Sequence, residues 1–234
     1  MIHFVFPPSA PVVVPVAGSE ALFPVRRIFC VGRNYAEHAR EMGAADQADG
    51  LEPPFFFTKP ADALVAGADE LPVVYPSLTQ NLHHEVEMVV ALGSGGSDIA
   101  VDLALGKVFG YAVGLDLTRR DIQAPAKAKG HPWDMAKGFD QSAVCGPLAP
   151  VDQVGHPDRG EIRLAVNDSP RQCGDLQQMG WKVADIIANL SRFVCLQPGD
   201  LIYSGTPAGV GPLQRGDRLV AQVEGLPLLR ARIV

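Results

Sequence analysis

Short apolar runs separated by turn residues dominate the chain and predict more strands than helices. Val86 to Leu92 has the length and β-branched content of a buried strand. Lys107 to Asp116 repeats the pattern and predicts a second core strand that ends in a carboxylate. Shorter strands are predicted at Phe29 to Gly32, at Glu161 to Val166 before a turn at Asn167 and Asp168, at Asp200 to Ser204, and twice between residues 216 and 234.

Helical spacing is confined to a few segments. We predict a short helix from Arg33 to Met42 capped by Asn34, and a helical turn at Val101 to Leu105. The only long helix is predicted from Val183 to Leu196, where apolar residues recur at helical spacing before Pro198 and Gly199. Leu117 to Ala128 is predicted to be a polar connection.

The order of these elements predicts the fold class. Strands follow one another directly, so the expected fold is α+β, strand-dominated and built mainly from antiparallel sheet. Residues 1–24 carry prolines at positions 7, 8, 11 and 15 and are expected to form an extended arm able to supply an edge strand. Residues 25–234 are expected to form a single domain, in which the polar segment from Ala44 to Pro54 is a candidate flap.

Composition narrows the classes of partner. An apolar fraction of 47 % and a charged fraction of 20 % are typical of a soluble globular protein. The net charge of -6 argues against nucleic acid and anionic membranes. No run approaches the roughly 20 apolar residues of a membrane span, and the arm, broken by prolines and without a basic start, is not expected to be a secretion signal. The four cysteines form no CxxC pair, which favours reduced thiols and a cytoplasmic location.

Two glutamates at the start of the central strand are the first candidate for chemistry. Since side chains alternate along a strand, Glu85 and Glu87 project from the same face. Two carboxylates that close repel each other unless one is protonated or a cation lies between them. Oxygen ligands suit Mg²⁺, Mn²⁺ or Ca²⁺ better than zinc. The alternative is a solvent-facing pair on an edge strand.

Other polar residues recur near predicted strand and helix ends. His38 and Glu41 are three residues apart and share a helical face, either as a functional pair or as a surface pair. The glycine-rich segments at 93–96 and 205–211 lack the spacing or the lysine of nucleotide-binding loops. We therefore expect no nucleotide cofactor.

Five segments occur in an order that resembles one known family. They are Val31 to His38, His84 to Glu87, Gly114 to Gln123, Ala136 to Asp140 and Gly205 to Gly211. Together they resemble the fumarylacetoacetate hydrolase family, from about residue 24 to the end of the chain. The proline-rich arm, residues 53–62, the His83-His84 doublet and Trp181 most resemble its fumarylpyruvate hydrolases. The resemblance implies a composite β-sheet roll with few short helices, which makes residues 25–234 a catalytic domain.

The resemblance also implies roles for individual residues. One Mg²⁺ or Mn²⁺ per subunit would be bound by Glu85, Glu87 and Asp116. His38 and Glu41 would form the general-base pair, and Lys137, which alone could be an ordinary surface lysine, would lie near a developing oxyanion. Substrate contacts are implied for Arg33, Arg120, Gln123 and Thr206. Five cations remain open as the partner of a distal substrate carboxylate: Arg33, Arg119, Lys127, Lys129 and Lys182.

The implied activity is metal-dependent hydrolysis of a carbon-carbon bond in an acylpyruvate (2,4-dioxo acid) by a homodimer. Fumarylpyruvate, cleaved to fumarate and pyruvate in gentisate-type aromatic degradation, is the expected substrate. Alternatives are another acylpyruvate hydrolase, an oxaloacetate decarboxylase or tautomerase on the same site, and a non-catalytic binder of 2-oxo acids. His38 and Glu41 favour hydrolysis, because water needs a base and decarboxylation does not.

Overall fold

The computed structural model describes residues 3–43 and 52–234. The strands of the N-terminal half are β1 Val13–Pro15, β2 Leu22–Pro24, β3 Arg27–Gly32, β4 Phe55–Lys59, β5 Leu64–Ala66, β6 Leu71–Val73, β7 Leu82–His84, β8 Val86–Leu92, β9 Val108–Asp116 and β10 Thr118–Arg119. Those of the C-terminal half are β11 Ala143–Cys145, β12 Ala149–Pro150, β13 Glu161–Val166, β14 Ser169–Asp175, β15 Asp200–Tyr203, β16 Gly211–Pro212, β17 Arg218–Val223 and β18 Leu229–Ile233.

The helices are few and short. They are α1 Ala36–Glu41, α2 Val101–Ala104, α3 Arg120–Lys129, α4 Asp134–Lys137, α5 Val151–Val154 and α6 Val183–Leu190. Single 3₁₀ turns lie at Ala61–Ala63, Leu105–Lys107 and Leu176–Gln178. Strand therefore exceeds helix in the described chain, and the predicted strand-dominated α+β class is confirmed.

The main sheet has the order β4-β3-β15-β8-β9-β11-β5, with β12 also paired to β9. A second sheet has the order β14-β13-β17-β18-β6, and a small third sheet has β7 between β10 and β16. Among the described strands only the pairs β3 with β15, β5 with β11 and β6 with β18 are parallel. Antiparallel pairing thus dominates, as the direct succession of strands predicted.

Both faces of the main sheet are covered, which explains the continuous apolar sequence of β8. Met88 and Val90 project into the larger core, which includes residues of the second sheet. Val89 and Ala91 project into a smaller core that includes residues of β1 and β2. Every residue of β8 is buried, including Glu87. A carboxylate on this strand therefore lies in the interior rather than in water.

Three helix predictions require correction. The first helix begins at Ala36, because the Asn34 amide donates instead to the carbonyl oxygens of Trp181 and Ser204, at 2.9 and 2.8 Å. The predicted connection at 117–128 contains β10 and most of α3. Pro125 lies inside α3 and disfavours a helix in sequence, but Arg120 and Gln123 anchor its buried face.

The long helix also ends earlier than predicted. It stops at Leu190, where the Ser191 hydroxyl donates to Ala188 O at 2.8 Å and accepts from Ile99 N at 2.8 Å. Phe193, predicted to be on the apolar face, is 74 % exposed. Local side-chain hydrogen bonds to the backbone compete with helix continuation in this way.

The N-terminal arm includes a hairpin of β1 and β2, with Val14 and Phe23 buried in the smaller core. Its separation from a domain beginning at residue 25 stays a prediction. Of the candidate flap from Ala44 to Pro54, residues 44–51 lie outside the described part of the chain. No helix among the described residues is both long enough and apolar enough to cross a membrane.

Candidate active site

Strand register brings three carboxylates together at one end of the main sheet. In the antiparallel pair β8–β9, Val86 is opposite Leu115 and Glu87 is opposite Gly114. The Asp116 amide continues the ladder by donating to Glu85 O at 2.9 Å. Because paired residues project to the same face, Glu85, Glu87 and Asp116 share one face. The predicted convergence of these three side chains is therefore observed.

The three carboxylates have the geometry of a metal site. One oxygen from each lies within 4.8 Å of the others, and all three residues are buried. Asp116 Oδ1 accepts no hydrogen bond from any described residue, although Lys59 Nζ lies 2.8 Å away as an ion-pair partner. A carboxylate oxygen keeps a second lone pair when one is engaged by a lysine, and a set of oxygen donors only suits a hard divalent ion. The donor set therefore fits the predicted Mg²⁺ or Mn²⁺.

Three buried cations surround these acids. Lys137 Nζ donates to Glu85 Oε2 at 2.8 Å and to Asp116 Oδ2 at 2.7 Å. Arg120 donates to Glu85 Oε1, and Lys59 pairs with Asp116. The side chain of Lys137 is 3 % exposed, so the surface alternative for this residue is wrong. The repulsion between Glu85 and Asp116 is thus offset by counter-charges that the chain itself supplies.

The two glutamates differ in their preferred protonation. Burial alone would raise the pKa of Glu85, but Lys137 and Arg120 outweigh it and lower that pKa well below its usual value. Burial raises the pKa of Glu87 well above its usual value, and the charges of Asp116 and Glu85 raise it further. The expected conflict between neighbouring carboxylates is therefore resolved mainly at Glu87, whose Oε2 accepts a 2.7 Å hydrogen bond from Gly205 N.

The loop that follows β15 closes the site above Glu87. Gly205 has a φ of +100°, and a Cβ there would lie 2.6 Å from Asn34 Cβ. Glycine is thus required for the loop to turn tightly enough for its amide to reach Glu87. The Asn34 amide fixes the same loop through Ser204 O, which explains why the asparagine is not available as a helix cap.

His38 and Glu41 lie on α1 as a pair at the wall of the pocket. His38 Nδ1 is 3.2 Å from Glu41 Oε2, and the side chain of His38 is 8 % exposed. Gly209 N also donates to Glu41, which steadies the carboxylate. Burial lowers the pKa of His38, although the charge of Glu85 and the hydrogen bond that His38 donates to Glu41 oppose the shift. The lowered pKa favours the neutral imidazole, which is the form that can accept a proton.

A single pocket contains nearly all the residues singled out in the sequence. It is lined by Val31, Gly32, Arg33, His38, Met42, Phe57, Glu85, Glu87, Asp116, Arg120, Gln123, Lys127, Trp133, Lys137 and Thr206. Glu41 does not line the pocket but contacts His38, which does. Arg120 donates both to Glu85 and to Gln123 Oε1, the latter at 2.6 Å. Its guanidinium is therefore already engaged in holding a carboxylate of the site.

The five candidate cations for a distal carboxylate separate into two groups. Arg33 and Lys127 line the pocket, whereas Arg119, Lys129 and Lys182 do not. Arg119 stacks on the Phe139 ring at 4.2 Å. Lys182 Nζ donates to Gln177 O at 2.8 Å. Only Arg33 and Lys127, of these five, are placed to meet a ligand.

Several residues of the site were not predicted. Lys59 and Phe57 lie on one face of β4, next to Ile28 and Cys30 of β3, and the sequence FFFTK of residues 55–59 carries no alternation that marks this face. Trp133 lines the pocket, and its ring packs edge-on against Phe55 at 5.6 Å. Gln172 of β14 was not singled out in the sequence either.

Comparison with known proteins agrees with this geometry. The family model "Fumarylacetoacetate (FAA) hydrolase C-terminal" matches residues 27–234. The chain belongs to the fumarylacetoacetate hydrolase family. The resemblance stated from five sequence segments is therefore confirmed, and the family's fold accounts for the curled, strand-rich architecture.

Individual members of the family are also similar over most of their length. The fumarylpyruvate hydrolase of Ralstonia sp is 44 % identical over 177 residues, which cover 75 % of this chain and 90 % of that protein. The mitochondrial oxaloacetate tautomerase of Mus musculus is 38 % identical over 208 residues, covering 89 % and 91 %. The crystal structure of fumarylpyruvate hydrolase from Pseudomonas aeruginosa, in complex with Mn²⁺ and pyruvate, superposes with a TM-score of 0.96 at 50 % identity and covers 99 % of each chain.

Proposed function

We propose that this protein hydrolyses the carbon-carbon bond of an acylpyruvate, with fumarylpyruvate as its substrate and fumarate and pyruvate as products. The supporting observation is the buried Glu85, Glu87 and Asp116 cluster in the same pocket as the His38–Glu41 pair. The similar enzymes from Ralstonia and Pseudomonas aeruginosa carry this name, and the latter binds Mn²⁺ and pyruvate.

The three carboxylates would hold one Mg²⁺ or Mn²⁺. When bound, the ion would polarise the 2-oxo acid and offset the negative charge that forms on the departing pyruvate unit. Lys137 lies against the same carboxylates and would add a fixed positive charge at this end of the pocket. Arg120, Gln123 and Thr206 line the pocket and would contact the substrate.

His38 would act as the general base. Its Nδ1–H donates to the Glu41 carboxylate, which leaves Nε2 unprotonated. Nε2 would take a proton from water as the water oxygen bonds to the 4-carbonyl carbon. The bond between carbons 3 and 4 then breaks, its electron pair passes to the pyruvate unit, and the proton returns to carbon 3. The products are the anions of two carboxylic acids, and no co-reactant other than water is needed.

The rim of the pocket favours a substrate with a second carboxylate. Arg33 and Lys127 both line it, and neither forms an ion pair with an acidic side chain of the described residues. Lys127 Nζ donates to Met42 O, and burial together with the charges of Arg33 and Arg120 lowers its pKa. Two cations in one pocket, neither paired with an acidic side chain of the described residues, are suited to the distal carboxylate of fumarylpyruvate.

The direct test is a substrate panel. Purified protein is incubated with fumarylpyruvate, acetylpyruvate and oxaloacetate, with Mn²⁺ or Mg²⁺ and again after chelation. We expect fumarylpyruvate to be cleaved with the highest kcat/KM and chelation to abolish the reaction. Turnover unaffected by a strong chelator, or a preference for acetylpyruvate, would contradict the proposal.

Oxaloacetate tautomerisation is the second candidate, because relatives that carry that name are 36 to 38 % identical to this chain. The same panel separates the two functions. A tautomerase converts enol and keto forms of oxaloacetate without consuming fumarylpyruvate. The homodimer and the cytoplasmic location expected from the sequence stay predictions, which mass measurement in solution and cell fractionation can test.

A further inference from the structure

Gln172 is a buried residue of β14 whose amide has all four of its hydrogen-bonding positions occupied. The residue is 1 % exposed. Oε1 accepts from Val86 N at 3.0 Å and lies 2.9 Å from His84 Nδ1. Nε2 donates to Thr206 Oγ1 and to Pro207 O, both at 2.8 Å. One side chain thus links the start of β8 to the loop that lines the pocket.

The orientation of this amide follows from its backbone partners. Val86 N–H can only donate, so the atom facing it must be the oxygen. Pro207 O can only accept, so the atom facing it must be the nitrogen. A flipped amide would leave a buried backbone donor and a buried backbone acceptor without partners, which disfavours the flip. The amide is therefore held in one orientation.

This orientation determines the direction of the Thr206 hydroxyl. Thr206 Oγ1 accepts a hydrogen bond from Gln172, and it makes no other hydrogen bond to the described residues. Thr206 is 2 % exposed and lines the pocket. Since its lone pair is occupied on the Gln172 side, its proton is free to be donated to a ligand in the pocket.

We propose that Gln172 is a positioning residue, which presents the Thr206 hydroxyl as a hydrogen-bond donor to the carboxylate of a bound 2-oxo acid. This inference rests on the proposed function, because it requires such an acid in the pocket. It assigns a role to β14, which lies on the edge of the second sheet and contributes no residue to the pocket lining.

The test measures binding of pyruvate to Mn²⁺-loaded protein by calorimetry, and so does not depend on turnover. Gln172→Met removes all four hydrogen bonds of the amide, including the one to Thr206, with little change of shape. We expect a roughly tenfold weaker pyruvate affinity, as for the loss of one hydrogen bond to a charged group. Thr206→Val should weaken binding by a similar factor, and the double variant should be no weaker than Thr206→Val alone.

Non-additivity is the readout that a merely structural role of Gln172 would not give. If Gln172→Met weakens pyruvate binding by the same factor in the wild-type protein and in the Thr206→Val variant, the inference is wrong. Gln222→Met, on β17 of the same sheet and outside the pocket, is the matched control and should bind pyruvate as the wild type does. In steady-state assays the loss should appear in KM for the 2-oxo acid more than in kcat.

A second variant covers the case in which Gln172→Met does not fold. Gln172→Glu keeps both accepted hydrogen bonds, but its ionised carboxylate draws the Thr206 proton towards itself. Pyruvate affinity should again fall about tenfold at a pH where the new carboxylate is ionised. Unchanged affinity in this variant would overturn the inference alone. Absence of pyruvate binding by the wild-type protein would overturn both the inference and the proposed function.

Discussion

The inner end and the rim of the pocket differ in whether their charged side chains have ion-pair partners. At the inner end, Glu85 and Asp116 are buried against Lys137, which pairs with both. At the rim, Arg33 and Lys127 line the pocket without an acidic partner among the described side chains. Glu85 and Asp116 are thus paired with cations of the chain itself, whereas no acidic side chain of the described residues pairs with the two rim cations.

This difference suggests a role for each region: the inner end is preorganised for the reaction, and the rim recognises the substrate. Buried ion pairs keep their geometry whether or not ligand is present, because breaking one leaves an uncompensated charge in a medium of low dielectric constant. An unmatched cation near the opening remains partly hydrated and gains most when a ligand carboxylate arrives. We therefore expect changes at the inner end to abolish the reaction and changes at the rim to alter substrate choice.

The largest effect is expected for Asp116→Ala. It removes one carboxylate of the metal cluster and leaves Lys59 and Lys137 buried with one partner fewer. We expect loss of Mn²⁺ binding in a metal titration and a fall in kcat/KM of more than about 10⁴-fold. Unfolding should also require less denaturant, because a buried ion pair is broken.

Gln123→Ala is the matched comparison for that variant. Gln123 lines the pocket and accepts from Arg120, but it does not touch the three carboxylates. Its loss should leave Mn²⁺ binding intact and cost far less activity than Asp116→Ala. Equal losses in the two variants would show that the inner cluster is not the centre of the reaction.

The next effect is expected for His38→Gln. The substitution removes the base but not a carboxylate of the cluster, so kcat should fall about 10²- to 10⁴-fold while Mn²⁺ affinity stays unchanged. Single-turnover loss of the substrate's diketo absorbance measures the chemical step directly. Wild-type kcat in this variant would remove His38 from the mechanism and assign the base to another group.

The fold could be predicted where pattern and burial agree, as at β8 and β9. Their apolar runs gave the correct strands, and alternation placed Glu85 and Glu87 on one face. Prediction failed where a tertiary contact overrides local preference. The helix α3 forms despite Pro125, because Arg120 and Gln123 are buried on one of its faces. Its sequence has no apolar periodicity that would predict a helix.

The site could be predicted only as far as its motifs extend. Lys59 was missed because nothing local distinguishes a lysine that ends a strand from a solvated one, and only the fold places it 2.8 Å from Asp116. Gln172 was missed because its strand is polar and irregular in sequence, and its partners are more than 30 residues distant. Both residues are placed in the site by contacts with residues distant in sequence, which the spacing of motifs along the chain does not reveal.

A smaller and more selective effect is expected at the rim. Arg33→Gln and Lys127→Met remove cations that the ligand would match, so the KM for fumarylpyruvate should rise about 10- to 100-fold. Acetylpyruvate has no distal carboxylate, and its kcat/KM should change little. Lys129→Gln, two residues along α3 but outside the pocket, is the control. A loss shared equally by both substrates would contradict the separation of rim from inner end.

The smallest effect is expected for Glu41→Gln, because Glu41 acts only through His38. Its hydrogen bond and its negative charge raise the pKa of His38, against the lowering by burial, so their removal should lower that pKa further. The base works in its neutral form, and activity is lost as pH falls through the pKa of His38. The acidic limb of the kcat/KM profile should therefore lie below pH 6.5 in the wild type and move to still lower pH in Glu41→Gln. A limb that moves to higher pH would mean that another group titrates, and that the pair on α1 is not the base.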